Sequence, residues 1–131
     1  MVILEKFNSD TIALNQILLK HKIMPTEDRR IIFQNDEIYK ALYTLCHQKQ
    51  LRKPKPGTLT GVIEDKGDPS KIYILLENAQ DKTASQQEFS RDFLAAALML
   101  YCQGLNIPLP KKAKKTVLIK DTTAMLRVMI S

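Results

Sequence analysis

The hexapeptide Arg52-Lys53-Pro54-Lys55-Pro56-Gly57 is the feature that most constrains the fold of this chain. Pro54 and Pro56 lack amide donors and their rings crowd the preceding turn, so no helix or central strand runs through them. The stretch is a basic, semi-rigid connector between a helical part and a part rich in strand signals. Neither flank carries a comfortable core alone, and 131 residues suit one domain. Residues 1–131 are therefore read as a single compact domain.

Upstream of the connector, the pattern predicts two or three helices. The first starts near Asn8 or Ser9 as cap, buries a stripe of Ile12, Leu14, Ile17 and Leu18, and stops at Pro25. A short second one follows from Thr26-Glu27-Asp28, a cap with two carboxylates ahead of Ile31, Ile32 and Phe33. The third is capped by Asn35 and carries Ile38, Ala41, Leu42 and Leu45 at helical spacing up to about Gln50.

Downstream, TLTGVIE and KIYILLE flank the turn formers DKGDPS, which predicts a β-hairpin. TVLIK and AMLRVMI around Asp121, Thr122 and Thr123 predict a second one at the C-terminal end. Between them, Ser85 and Glu88 have the S-x-x-E spacing of a capping box, which predicts a central amphipathic helix over 85–103. Phe93, Ala97 and Leu100 are expected in its buried face and Gly104 as its left-handed stop. The class is α+β, and no internal repeat of useful length is apparent along the chain.

Three helices followed by a hairpin, up to Glu77, resemble the order of elements in a winged-helix domain. That resemblance implies DNA binding, with the third helix as recognition helix and DKGDPS as wing tip. Asp36 and Glu37 at the helix start, and Asp65 and Asp68 in the wing, depart from a phosphate-contacting surface.

Catalytic signals are sparse. Cys46 and His47 are adjacent, and neighbours on a helix point about 100° apart rather than at each other. No CxxC or HxxxH ligand pair and no calcium-loop pattern occurs, and glycines 57, 61, 67 and 104 form no phosphate-binding loop. The expectation is a non-enzyme with neither cofactor nor metal. The longest apolar run, Phe93 to Cys102, is short of the roughly 20 residues of a membrane span. Cys46 and Cys102 are expected as reduced, independent thiols, which fits a cytoplasmic protein.

Charge is unevenly spread within a net +6. Candidate contacts for phosphates or an acidic partner are Arg52, Lys53 and Lys55 in the connector, with Lys111, Lys112, Lys114 and Lys115 in KKAKK. Met125 and Met129 alternate with Leu126, Val128 and Ile130 on a two-sided strand, and are the candidate protein interface. Function is thus expected to be that of a small intracellular adaptor or regulatory module binding another protein or itself. The alternative is a nucleic-acid-binding protein using the basic clusters.

Overall fold

A computed structural model describes residues 26–130 of the chain. It is α+β, with two helices and six strands in two three-stranded antiparallel sheets. Strand β1 is Glu27–Ile32, helix α1 Asn35–Gln48, strands β2 Thr58–Glu64, β3 Lys71–Asn78 and β4 Thr83–Ser90. Helix α2 is Arg91–Gly104, followed by β5 Lys114–Lys120 and β6 Thr123–Ile130. The sheet orders are β1-β6-β5 and β2-β3-β4.

These elements form two successive βαββ units, β1-α1-β2-β3 and β4-α2-β5-β6. Both helices have 14 residues, and α1, α2 and the following strands β2 and β5 sit 56 positions apart. β3 and β6 match at 52, because the β2–β3 turn is four residues longer than the Asp121-Thr122 turn. Identical residues recur at the 56-residue spacing, among them Phe33 and Phe89, Ala41 and Ala97, Leu42 and Leu98, Cys46 and Cys102, Pro54 and Pro110. Both helices end alike. Leu51 and Ile107 donate back to the carbonyls of Cys46 and Cys102 at 2.8 and 2.9 Å, with Gln50 and Asn106 left-handed at φ 54° and 60°. This is a Schellman stop. The chain therefore carries an internal repeat, contrary to the sequence expectation. Side-chain identity is too thin to display it, but backbone geometry keeps it.

The units interlock by exchanging their first strands. β1 pairs with β6 of the second unit, Glu27 opposite Ile130, while β4 pairs with β3 of the first, Thr83 opposite Asn78. The two registers coincide under the 56- and 52-residue offsets. Phe33 lies edge-on to Tyr101 at 6.2 Å, and Tyr101 Oη donates to Glu37 at 3.3 Å. The start of α1 is thus beside the end of α2, and the helices run antiparallel.

Several expectations are corrected. The expected first helix lies outside the described residues. Residues 27–32 form β1 rather than a second helix, since a stretch this short gains little as an isolated helix and a full ladder against β6. With that strand in place, the described part up to Glu77 does not have the winged-helix order. The Ser85–Glu88 box is not a cap: both residues lie in β4, paired with Leu76 and Tyr73, because β3 needs a neighbour on that side. Ser90 caps α2 instead, its Oγ accepting from the Phe93 amide at 3.0 Å. The enclosed stripe centres on Leu94, Ala97 and Leu98, while Phe93 and Leu100 stand at its borders and are half-buried. Gly104 is the last helical residue, and Asn106 takes the left-handed position. The expected helix at Asn35 and the two hairpins are present.

The core lies between the helix pair and the inner sheet rows, with Ile38, Leu42, Leu94 and Leu98 over Ile72, Ile74, Leu126 and Val128. Strand β2 has a bulge between Leu59 and Gly61, and the Val62 amide donates to Thr122 O at 2.9 Å, tying one hairpin to the turn of the other. A Cβ on Gly61 would stand 2.9 Å from the Thr122 Cβ, so glycine is required by close approach.

Leu42→Ala and Leu98→Ala, at equivalent enclosed positions, should each destabilise by about 2–5 kcal/mol. Because each sheet contains strands of both units, amide exchange in both should rise together; one sheet opening while the other stays protected would contradict the interlock. Gly61→Ala should cost about 1–3 kcal/mol in chemical denaturation through overpacking at the Thr122 contact.

Candidate binding face

Cross-strand pairing fixes which side chains share a face, since directly opposed residues project to the same side. Ala124, Leu126 and Val128 of β6 face the core and are buried. The alternate residues Met125, Arg127 and Met129 therefore point outward. Their partners give three outer rows: Ile32, Met125 and Leu118; Arg30, Arg127 and Thr116; Asp28, Met129 and Lys114. Met125 is only 9% exposed, because Ile32 and Leu118 flank it, whereas Ile32 is 66% exposed. The two methionines sit on one apolar and basic sheet face, while Leu126 and Val128 belong to the core.

Asp28 organises the cations of this face. Arg127 donates to it twice, Nε to Oδ1 at 3.0 Å and Nη2 to Oδ2 at 2.8 Å. These bonds, helped by the positive charge of Arg127 and Arg30, hold the Asp28 carboxyl below its ordinary range. Arg30, directly opposite Arg127, has no carboxylate within ion-pair distance among the described residues. Arg127 thus takes the carboxylate of Asp28 while Arg30 has none, and like charges opposed across strands repel.

The candidate lysines are separated by the fold. Lys114 stands on the outer row, but Lys115 lies on the opposite side of β5 with Val128 and Arg29, its Nζ donating to Ala113 O at 3.2 Å. Arg29 donates to Pro108 O at 2.9 Å, on the same helix-facing side. Lys111 and Lys112 are exposed in the connection before β5. In the other connector, the Lys55 amide donates to Gln87 Oε1 at 2.8 Å and its carbonyl accepts from Tyr39 Oη at 2.9 Å. Lys53 Nζ is 5.4 Å from the Tyr43 ring centroid. Arg52 is exposed. The first connector therefore runs back along α1, Lys53 beside Tyr43 and Lys55 beside Tyr39, while Lys111 and Lys112 belong to the connection that follows the other helix.

Sequence reasoning missed Arg30, Arg127, Ile32 and Leu118, since their neighbourhood depends on a pairing between residues about a hundred positions apart. The alternation in β6 was the only signal available.

Other surfaces offer less. A cleft of about 860 Å³ at the start of α1 is lined by Ile32, Tyr39, Lys40, Gly57, Thr58 and Thr123, and by Asp36, whose charge opposes anion binding at that helix end. Burial pushes the Cys46 and Cys102 thiols up, and both are free. Among the described residues no three His, Cys, Asp or Glu side chains gather as metal ligands, and no helix is long and apolar enough to cross a membrane. No family model, curated protein or solved structure matches this chain.

Asp28 is depressed in the folded state, so its contribution to stability is present above the ordinary carboxylate range near about 3.9 and is lost as pH falls through its lower folded value. Thermal melts of Asp28→Asn should therefore fall less steeply than wild type below about pH 4; parallel curves would mean that the pair adds nothing. Native Cys46 and Cys102 should react with a thiol reagent only at the rate of unfolding, and prompt native labelling would refute their enclosure.

Proposed function

We propose that this chain is a non-enzymatic binding module that presents the outer face of the β1-β6-β5 sheet to an acidic protein surface. The observation that carries the reading is Arg30, directly opposite Arg127 and without the carboxylate that Arg127 has in Asp28, beside the exposed Ile32 and the flanking Met125 and Leu118. An acidic partner relieves the like-charge repulsion, and the exposed Ile32 supplies apolar area to bury. The enclosed, raised thiol of Cys46 beside an exposed His47 favours a binding role over nucleophilic catalysis. A reducing, cytoplasmic setting remains part of this reading.

Nucleic acid is the second reading, favoured by one observation: Lys114 is on the basic face and Lys111 and Lys112 precede it in the chain. Against it, the three outer rows contain no aromatic ring for base stacking.

Fluorescence anisotropy with labelled poly-L-glutamate and with mixed-sequence duplex and single-stranded DNA, across a salt series, separates the two. Poly-L-glutamate should bind at low salt and lose about ten-fold or more in affinity with Arg30→Ala and Lys114→Ala combined. No binding, or binding indifferent to those changes, overturns the proposal. Duplex binding whose log–log salt slope falls by up to about 3 when Lys111, Lys112 and Lys114 become Gln would put nucleic acid first.

A further inference from the structure

The repeat supplies a second sheet face with the same backbone and opposite charge. Outer rows of β2-β3-β4 are Thr58, Glu77 and Ala84; Gly61, Leu75 and Gln86, with Gly61 covered by Thr122; Ile63, Tyr73 and Glu88; and Lys71 with Ser90. They carry two carboxylates and one cation, Lys71, with a third carboxylate at the β2–β3 turn, where Asp65 accepts from Tyr73 Oη at 2.8 Å; the equivalent rows of β1-β6-β5, with Lys120 opposite Thr123, carry four cations and one carboxylate. Glu77 and Glu88 have no cation within ion-pair distance among the described residues. This face is also hollowed. Small residues around Leu75 and Glu77, among them Thr60, Ala84 and Ser85, leave a depression of about 320 Å³, and another of about 530 Å³ adjoins it at Thr58, Asn78 and Thr83, with Lys82 on its rim. The basic face instead projects the long side chains of Arg30, Arg127, Met129 and Lys114.

We propose that the acidic protein surface received by the basic face is a second copy of this chain, presenting its β2-β3-β4 outer face. The inference rests on the binding role assigned to the basic face. Arg30 and Lys114 of one copy meet Glu77 and Glu88 of the other, and the apolar row of Ile32, Met125 and Leu118 lies on Leu75 and Tyr73. The contact is heterologous, because it joins two different surfaces of the same chain. Three strands about 4.8 Å apart make a small face, so the contact belongs to the weak, transient size class with a Kd of about micromolar or weaker.

Sedimentation velocity on the full chain, from about 10 to 500 µM at low salt, reads this directly. Wild type should self-associate reversibly, and less so at about 0.5 M salt. Arg30→Glu with Lys114→Glu reverses one face, and Glu77→Lys with Glu88→Lys reverses the other. Each double variant alone should weaken association about ten-fold or more, and an equimolar mixture should recover it to within about three-fold of wild type. Circular dichroism melts establish that both variants are folded. A monomeric wild type across the range overturns the inference, as does association untouched by reversal of the acidic face, or a mixture that fails to recover. If the monomeric wild type still binds poly-L-glutamate through Arg30 and Lys114, only the identity of the partner is lost; if that binding is absent too, the binding role of the face falls with it.

Discussion

The reciprocal exchange of β1 and β4 is the constraint on which the rest of the structure depends. Each sheet is completed by a strand whose own helix and hairpin belong to the other unit, so neither unit closes a core by itself. The antiparallel helix pair then lies over both sheets, and enclosed residues from both units share one cluster. An exchange of this kind makes contacts of long sequence separation obligatory, which ties folding to pairing between the two ends of the described chain.

Repetition separates two kinds of residue. Inner-row positions are alike in both units, with Ile72, Ile74 and Leu76 matched by Ala124, Leu126 and Val128, because each must fill the same space under a helix. Outer rows face solvent and are free of that demand. There the units differ in charge and shape: Arg30 stands where the other unit has Gln86, Arg127 where it has Leu75, and Ile32 where it has Glu88. A difference between two faces of one scaffold is not dictated by the scaffold, which directs attention to the outer rows.

The same logic explains why some conspicuous residues carry little functional weight. Cys46 and Cys102 recur at the repeat spacing because a small apolar group is needed at the end of each helix, and burial makes both poor thiolates. One proline of each connector, Pro54 and Pro110, recurs at that spacing as well, where each helix must stop before its hairpin begins.

The sequence by itself determined the elements whose signals are local. Pro54 and Pro56 ended the helical part, Ile38 to Leu45 placed α1, and the turn formers at 65–70 and 121–122 placed the hairpins. It misjudged 27–32 and 83–90, where Thr26-Glu27-Asp28 and Ser85-x-x-Glu88 have the composition of helix starts. Tertiary structure decided those segments, because an edge vacancy beside β6 and another beside β3 offer ladders that outweigh a weak local preference. The basic face was legible only as two methionines and a lysine cluster. Its geometry needs Arg30 beside Arg127, 97 positions away along the chain, and that proximity is created by strand exchange.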